Sequence, residues 1–351
     1  MKIFCVIGTR PEAIKMAPVI LKLKEAHDVF VISTGQHKTM LDQTLAVFDL
    51  KPDYNFNLMK ENQSISGVLS KAIEKLSELI LEKNPDIVLG QGDTTTALAS
   101  ALASYYSKVP FGHIEAGLRS FDFENPWPEE MNRVLISKLT TFHFCPTESA
   151  KENLRKEGIV KNVYVTGNTV IDSLLKLVVK KQNTDTKQIL VTLHRRENFG
   201  QNSENILNAI LKIVENNNVS VIFPVHLNPN IRNKVFSILN HERIKLVEPL
   251  DYKEFVETMS ESYIILTDSG GIQEEAPALG IPVLVLRETT ERPEAVDFGV
   301  AKLVGSDANK IIIETEKLIN NIEEYKKMSK GISPYGDGQS SQRILDILNT
   351  V

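Results

Sequence analysis

Short runs of β-branched and apolar residues alternate with longer amphipathic segments along nearly the whole chain, and this alternation constrains the fold more than any other feature. Residues 2–8, 28–34, 86–91, 110–115, 141–146 and 163–166 read as strands, and 12–25, 64–82, 95–107, 129–139 and 148–156 as helices. Strands that are apolar at nearly every position are covered on both faces, so the rhythm predicts βαβ units around a mostly parallel sheet. At 173–187 the segment LLKLVVKKQNTDTKQ passes from an amphipathic helix into a polar stretch, and the rhythm stops. It restarts with strands near 188–193, 220–225, 244–248, 263–267 and 282–286 and helices near 203–215, 229–239, 253–261 and 307–325. The expected fold class is α/β, with two Rossmann-like doubly wound domains at 1–172 and 188–332 facing a central cleft. The segment 333–342 reads as a loop leading into a terminal helix, RILDILNT. A length of 351 residues, more than one core usually supports, agrees with two domains.

Composition narrows the function. Forty Lys and Arg stand against 45 Asp and Glu, a net charge of -5, so no basic excess drives binding to a phosphate backbone and nucleic acid is not an expected partner. No apolar stretch approaches the roughly 20 residues of a membrane span, and the opening MKIFCVIGT lacks the core and cleavage site of a signal peptide. The expectation is a cytoplasmic chain without membrane insertion. Cys5 and Cys145 each lie in an apolar run and read as buried reduced thiols, with no metal-ligand spacing.

In open α/β sheets, ligands bind beyond the carboxyl ends of the strands, so chemistry-bearing residues are sought there. The first strand ends at Gly8-Thr9-Arg10-Pro11-Glu12, with Lys15 in the helix that follows. A glycine turn, a helix N-terminus and a guanidinium together suit a phosphate, yet neither the Walker nor the dinucleotide glycine pattern is present, which counts against ATP and NAD. Asp93 follows a strand, with Thr94 to Thr96 at a helix start; acid/base work and simple capping both fit. Glu115 ends another strand beside His113 and Arg119, and Glu129 and Glu130 stand at a Pro-initiated helix start, where a carboxylate also favours the helix dipole. Three acidic positions at element ends in one half-chain exceed what capping requires and suggest general acids and bases on opposite sides of a substrate. In the second domain His194, Arg195, Arg196 and Glu197 follow a strand, and His226 repeats the placement one strand later, where a structural role fits equally. Asp268-Ser269-Gly270-Gly271 opens a helix whose free amides suit a diphosphate, and Glu275, about one turn in, could accept two ribose hydroxyls. Arg287, Arg292 and Glu294 follow the next strand as a further cation source.

The segments GTRPEAIKMAP (8–18), GQHKTMLDQ (35–43), GDTTTALA (92–99), GHIEAGLRS (112–120), PWPEEMNR (126–133), TGNTVID (166–172), HRRENFG (194–200), DSGGIQEEAP (268–277) and ERPEA (291–295) closely resemble, in order, the non-hydrolysing UDP-N-acetylglucosamine 2-epimerases. The resemblance implies a GT-B type fold, a C-terminal helix at 333–351 crossing back to the first domain, a homodimer, a UDP-sugar substrate and no cofactor or metal. It implies catalytic roles for Asp93, Glu115, Glu129 and His194. It further implies UDP contacts for Arg10, Ser269, Gly270, Gly271, Glu275 and Arg292, with Lys15 supporting the acid/base groups and His226 near the diphosphate.

Three rivals share parts of this pattern. Hydrolysing epimerases usually open with a GTRA- or GSRAE-like turn where this chain has Pro11-Glu12, and epimerases of diacetamido-uronic acid nucleotides with a GARPQF-like one. A GT-B glycosyltransferase shares the holder around Glu275 but leaves Asp93, Glu115 and Glu129 unexplained. Relatives of the implied family often carry a second UDP-N-acetylglucosamine as activator, and Gln36, Glu129, Arg195 and His226 match positions lining that allosteric site. Thr39 and Asn62 depart from the longer polar side chains found there, so weakened activation by substrate is expected.

Overall fold

The structure, a computed structural model, describes residues 1–35, 38–58, 63–178, 187–195, 198–290, 292–331 and 333–351, the side chains of Lys38, Thr39, Met40 and Asn230 excepted. They form two compact units, Met1–Leu175 with Tyr335–Val351, and Lys176–Pro334.

The first unit carries β1 (Lys2–Ile7), α1 (Arg10–Leu23), β2 (Asp28–Ser33), α2 (Lys38–Val47), β3 (Tyr54–Asn55), α3 (Ile65–Lys83), β4 (Ile87–Gln91), α4 (Thr95–Tyr106), β5 (Phe111–Ile114), α5 (Glu129–Leu139), β6 (Phe142–Cys145), α6 (Glu148–Lys156), β7 (Val163–Val165) and α7 (Thr169–Leu177), whose last two residues pass the unit boundary. Its seven strands pair in the order β3-β2-β1-β4-β5-β6-β7, every pair parallel. Both faces are covered, and accordingly Phe4, Val6, Ile32, Val88 and Phe111 pack with Leu76, Leu79, Ala97 and Ala101 of α3 and α4. The second unit carries β8 (Lys187–Thr192), α8 (Gln201–Asn216), β9 (Val219–Pro224), α9 (Pro229–Ile238), β10 (Ile244–Val247), α10 (Tyr252–Glu261), β11 (Ile264–Thr267), α11 (Gly270–Ala278), β12 (Val283–Val285), α12 (Pro293–Asp297), β13 (Ala301–Leu303), α13 (Ala308–Asn320) and α14 (Ile322–Met328). Its parallel order is β10-β9-β8-β11-β12-β13. In each sheet the order reverses once, between β1 and β4 and between β8 and β11, and a ligand of such a sheet binds outside those strand ends.

The last helix, α15 (Ser340–Leu348), packs on α1 and buries Ile344, Leu345 and Leu348. The Asp172 carboxylate accepts the amides of Ser340 at 3.3 Å and Ser341 at 2.7 Å, filling donors that a helix start leaves unpaired.

Two departures from the sequence expectation have local causes. The single helix expected over 307–325 is two, because Asn321 is extended and its side chain accepts the amides of Glu323 and Glu324, which ends α13 and starts α14. The elements α2, β3, α12 and β13 were not expected at all; β3 and β13 span two and three residues, too short for a period to register.

Candidate active site

The first switch point gathers the acidic residues of the first unit. Gly8 and Thr9 follow β1, and their amides donate to the carboxylate of Glu12 at 3.0 and 2.7 Å, with the Thr9 and Thr94 hydroxyls adding bonds of 2.8 and 2.7 Å. The turn expected to cradle a phosphate with these donors is therefore filled by the chain's own side chain. Burial pushes the Glu12 carboxyl up to about 7, against the pull of those four donors. Arg10 stands half-buried at the head of α1 with no partner among the described residues.

Asp93 follows β4 after Gly92, and Thr94, not Asp93, caps α4 by accepting the Ala97 amide at 3.0 Å. His113, buried in β5, bonds through Nε2 to the Gly92 carbonyl at 2.7 Å; burial lowers its pKa to about 4, so the ring is neutral and Nε2 carries the proton. Glu115 directly follows β5 with φ of 67°, a left-handed conformation that costs a non-glycine residue about 1–2 kcal/mol. Its Oε2 accepts from Lys15 Nζ of α1 and from Asn168 Nδ2 at 3.2 Å. Asn168 also caps α7, its Oδ1 accepting the Val170 amide at 3.1 Å.

The two glutamates that open α5 diverge. Glu129 is half-buried, with no hydrogen-bond partner among the described residues. Glu130 is buried and accepts from the Ser120 and Phe121 amides, both at 3.0 Å, and from Arg133 at 2.7 Å. Burial pushes its carboxyl up, but the Ser120 amide, the Arg133 guanidinium and the Phe121 amide hold it below the usual carboxylate range. Arg119 is spent elsewhere, forked onto Glu157.

At the second switch point, Asp268 follows β11 with no solvent exposure. Its carboxylate accepts the amides of His194 and Arg195 at 3.0 and 2.9 Å, Asn198 Nδ2 at 3.0 Å and His194 Nδ1 at 3.0 Å. The bond fixes the His194 ring with Nδ1 toward Asp268 and Nε2 facing away. The ring stacks on His226 with centroids 6.1 Å apart, and the exposed His226 accepts the Asn228 amide on its own Nδ1. Arg196 and Glu197 lie outside the described residues, as do Gln36 and Asn62.

Ser269 precedes α11, whose first-turn amides lack intrahelical partners. A Cβ added at Gly270 or Gly271 would meet nothing nearer than 3.7 and 3.9 Å, so these glycines relieve no clash inside the chain and instead keep the helix start open to an approaching group. Glu275, buried in the same helix, accepts from the Tyr252 hydroxyl at 2.7 Å. Arg292 pairs with buried Glu274 rather than standing alone. Arg287 is buried too. Sequence reasoning gave no role to Glu12, Arg133, Asn168, Tyr252 or Glu274; all but Tyr252 lie in motifs already singled out, whereas nothing in the sequence distinguishes Tyr252. Among the described residues no cluster of His, Cys, Asp and Glu is arranged to hold a metal, and no helix is long and apolar enough to cross a membrane.

A family model described as UDP-N-acetylglucosamine 2-epimerase matches residues 21–349. The chain is 50% identical over 372 residues to the UDP-N-acetylglucosamine 2-epimerase of Campylobacter jejuni, covering 99% of this chain and 97% of that one. The crystal structure of UDP-GlcNAc 2-epimerase from Neisseria meningitidis bound to UDP-GlcNAc is similar with a TM-score of 0.91 at 47% identity, over 100% of both chains. That of the Methanocaldococcus jannaschii enzyme in complex with UDP-GlcNAc and UDP is similar with a TM-score of 0.82 at 36% identity, again over 100% of both. With two Rossmann-like parallel sheets of the GT-B type and a match along nearly its whole length, the chain belongs to the UDP-N-acetylglucosamine 2-epimerase family.

Proposed function

We propose that the chain interconverts UDP-N-acetylglucosamine and UDP-N-acetylmannosamine without hydrolysis, by eliminating UDP and adding it back across 2-acetamidoglucal. One observation carries this reading: Asp93 and Glu115 follow the adjacent strands β4 and β5, and each has one carboxylate oxygen held by a cation, Arg133 and Lys15 respectively. The C2–H of the sugar has no neighbouring carbonyl to acidify it. If the C1–O bond breaks first, UDP leaves with the bonding pair, and positive charge at C1 makes the C2 proton acidic. A carboxylate takes that proton, and the C2–H pair becomes the C1=C2 double bond. Proton return on the opposite face and attack by UDP at C1 close the cycle. This requires acid/base groups on both faces of the sugar and donors for the departing diphosphate.

Asp93, Glu115 and Glu129 supply the acid/base groups, with Lys15 balancing Glu115. His194 takes a catalytic role of its own, exchanging a proton through Nε2, and Arg10, His226 and the amides of Ser269, Gly270 and Gly271 meet the diphosphate. Glu275, oriented by Tyr252, accepts the ribose hydroxyls, and Arg292, oriented by Glu274, adds positive charge. Turnover in D2O tests the reading: both epimers are expected to gain deuterium at C2. Turnover without exchange would sink the elimination mechanism, and release of free N-acetylmannosamine would replace it with the hydrolysing one.

The enzyme acts as a cytoplasmic homodimer in this proposal. Met131 and Leu135, one turn apart on α5, are 40% and 44% exposed, and Phe121, Phe123 and Trp127 of the preceding loop are 68%, 51% and 63% exposed. Large apolar side chains gathered in this way mark an association surface, and two-fold pairing is the commonest way for a chain to cover one with itself. Sedimentation is expected to give twice the chain mass, falling to a single chain mass in Leu135→Glu. A dimer that survives that substitution places the contact elsewhere.

A further inference from the structure

We infer that Arg133 is a positioning residue for the reaction: its guanidinium pins one oxygen of Asp93 and thereby presents the other. The inference rests on the reading of Asp93 as an acid/base group. Arg133 lies one turn beyond Glu129 on α5, its side chain only 17% exposed. Nε and Nη2 both reach Oδ2 of Asp93, at 2.8 and 2.7 Å, and Nη1 reaches Oε2 of Glu130 at 2.7 Å. The neighbouring Asn132 donates through Nδ2 to the Asp93 carbonyl at 2.8 Å, so backbone and side chain of Asp93 are both held by α5. Oδ1 of Asp93 has no hydrogen-bond partner among the described residues.

A carboxylate left to itself turns about its last bond and offers either oxygen. The Nε–H bond and the Nη2 ion-pair contact, both on Oδ2, remove that freedom and leave Oδ1 as the atom that can meet a proton on the sugar. The guanidinium is fixed in turn, because Glu130 is buried and tied to the amides of Ser120 and Phe121. Rigidity thus runs from the 120–121 backbone through Glu130 and Arg133 to Asp93. Proton transfer needs the acceptor within about 2.6–3.2 Å of the proton's heavy atom, and a misplacement of about 1 Å can cost roughly 10²-fold. A lysine cannot substitute, since a single ammonium offers no planar fork to fix a carboxylate. A merely structural ion bridge would stabilise α5 without setting the rate.

The test uses the full-length enzyme. Arg133→Ala is expected to lose about 10²-fold in kcat with UDP affinity unchanged, and free guanidinium at a non-denaturing concentration is expected to restore about tenfold of it, by refilling the vacated donor positions. Wild-type kcat in Arg133→Ala, or a loss that guanidinium leaves untouched in a variant that still binds UDP, overturns the inference. Should Arg133→Ala fail to fold, Arg133→Lys decides: a folded, UDP-binding variant about tenfold or more slower supports positioning by the fork, and an unimpaired one refutes it. Wild-type C2 exchange is measured alongside. Its absence would remove the role of Asp93 altogether, whereas its presence with fully active Arg133 variants would refute the role of Arg133 alone.

Discussion

Glu115→Gln is expected to lose turnover by about 10²–10⁴-fold while binding UDP as the wild type does. The amide has the size of the carboxylate and can turn its oxygen toward Lys15 and Asn168, so both contacts to Oε2 keep an acceptor. It cannot take up or release a proton at the required pH, and that alone is lost. Asp93→Asn and Glu129→Gln are expected to behave alike, because each removes an acid/base group and leaves the nucleotide-holding residues of the second unit intact. Glu275→Ala has the opposite signature. It deletes the acceptor oriented by the Tyr252 hydroxyl and should weaken UDP binding, by about 1.5–3 kcal/mol for each charge-assisted hydrogen bond to a ribose hydroxyl. Calorimetry with UDP and deuterium incorporation at C2 separate the two patterns. A Glu115→Gln enzyme that still exchanges C2 at the wild-type rate would remove that residue from proton transfer.

The contrast follows from which parts of the site a sequence can carry. Strand ends were legible because a buried parallel strand is apolar at nearly every position, as in KIFCVI of β1, and the charged residues just beyond it stand out. That placed Asp93, Glu115, His194 and Asp268 at the carboxyl edges of β4, β5, β8 and β11, where the structure has them. Pairing was not legible. Glu129 and Glu130 are adjacent and chemically equal in the sequence, yet one is tied to two amides and an arginine while the other has no hydrogen-bond partner among the described residues. Glu12 looks like one more residue of a phosphate turn until its own carboxylate fills the turn. Arg133 meets Asp93 from 40 positions away, a contact that no local period encodes. The break at Asn321 depends on one side chain accepting two amides, which leaves the apolar spacing on either side nearly helical.

Asp268→Asn is expected to damage both stability and rate, and the two losses can be separated by pH. The buried carboxylate accepts from two amides, Asn198 and the His194 ring; an asparagine keeps one oxygen and turns an NH2 group toward donors, leaving them unpaired. Breaking a buried charged partnership of this kind costs about 3–5 kcal/mol. Burial raises the pKa of Asp268, but the His194 bond and charge, the Arg195 amide and Asn198 outweigh it and leave the group below its ordinary 3.8. A carboxyl with a depressed folded-state pKa stabilises the fold above the unfolded value and loses that contribution as pH falls through the folded one. As pH falls below about 4, the gap in unfolding midpoint between wild type and Asp268→Asn should therefore shrink. Turnover answers a different question, because Asp268 also holds His194 with Nδ1 protonated and Nε2 turned outward. Without it the ring is free to adopt the other tautomer, and a loss of about 10²-fold or more is expected at pH 7, where the variant is still folded. A variant that is destabilised but turns over normally per folded molecule would reduce Asp268 to a brace for the 194–198 loop and take proton transfer away from His194, since an imidazole whose tautomer does not matter is not exchanging protons with the substrate.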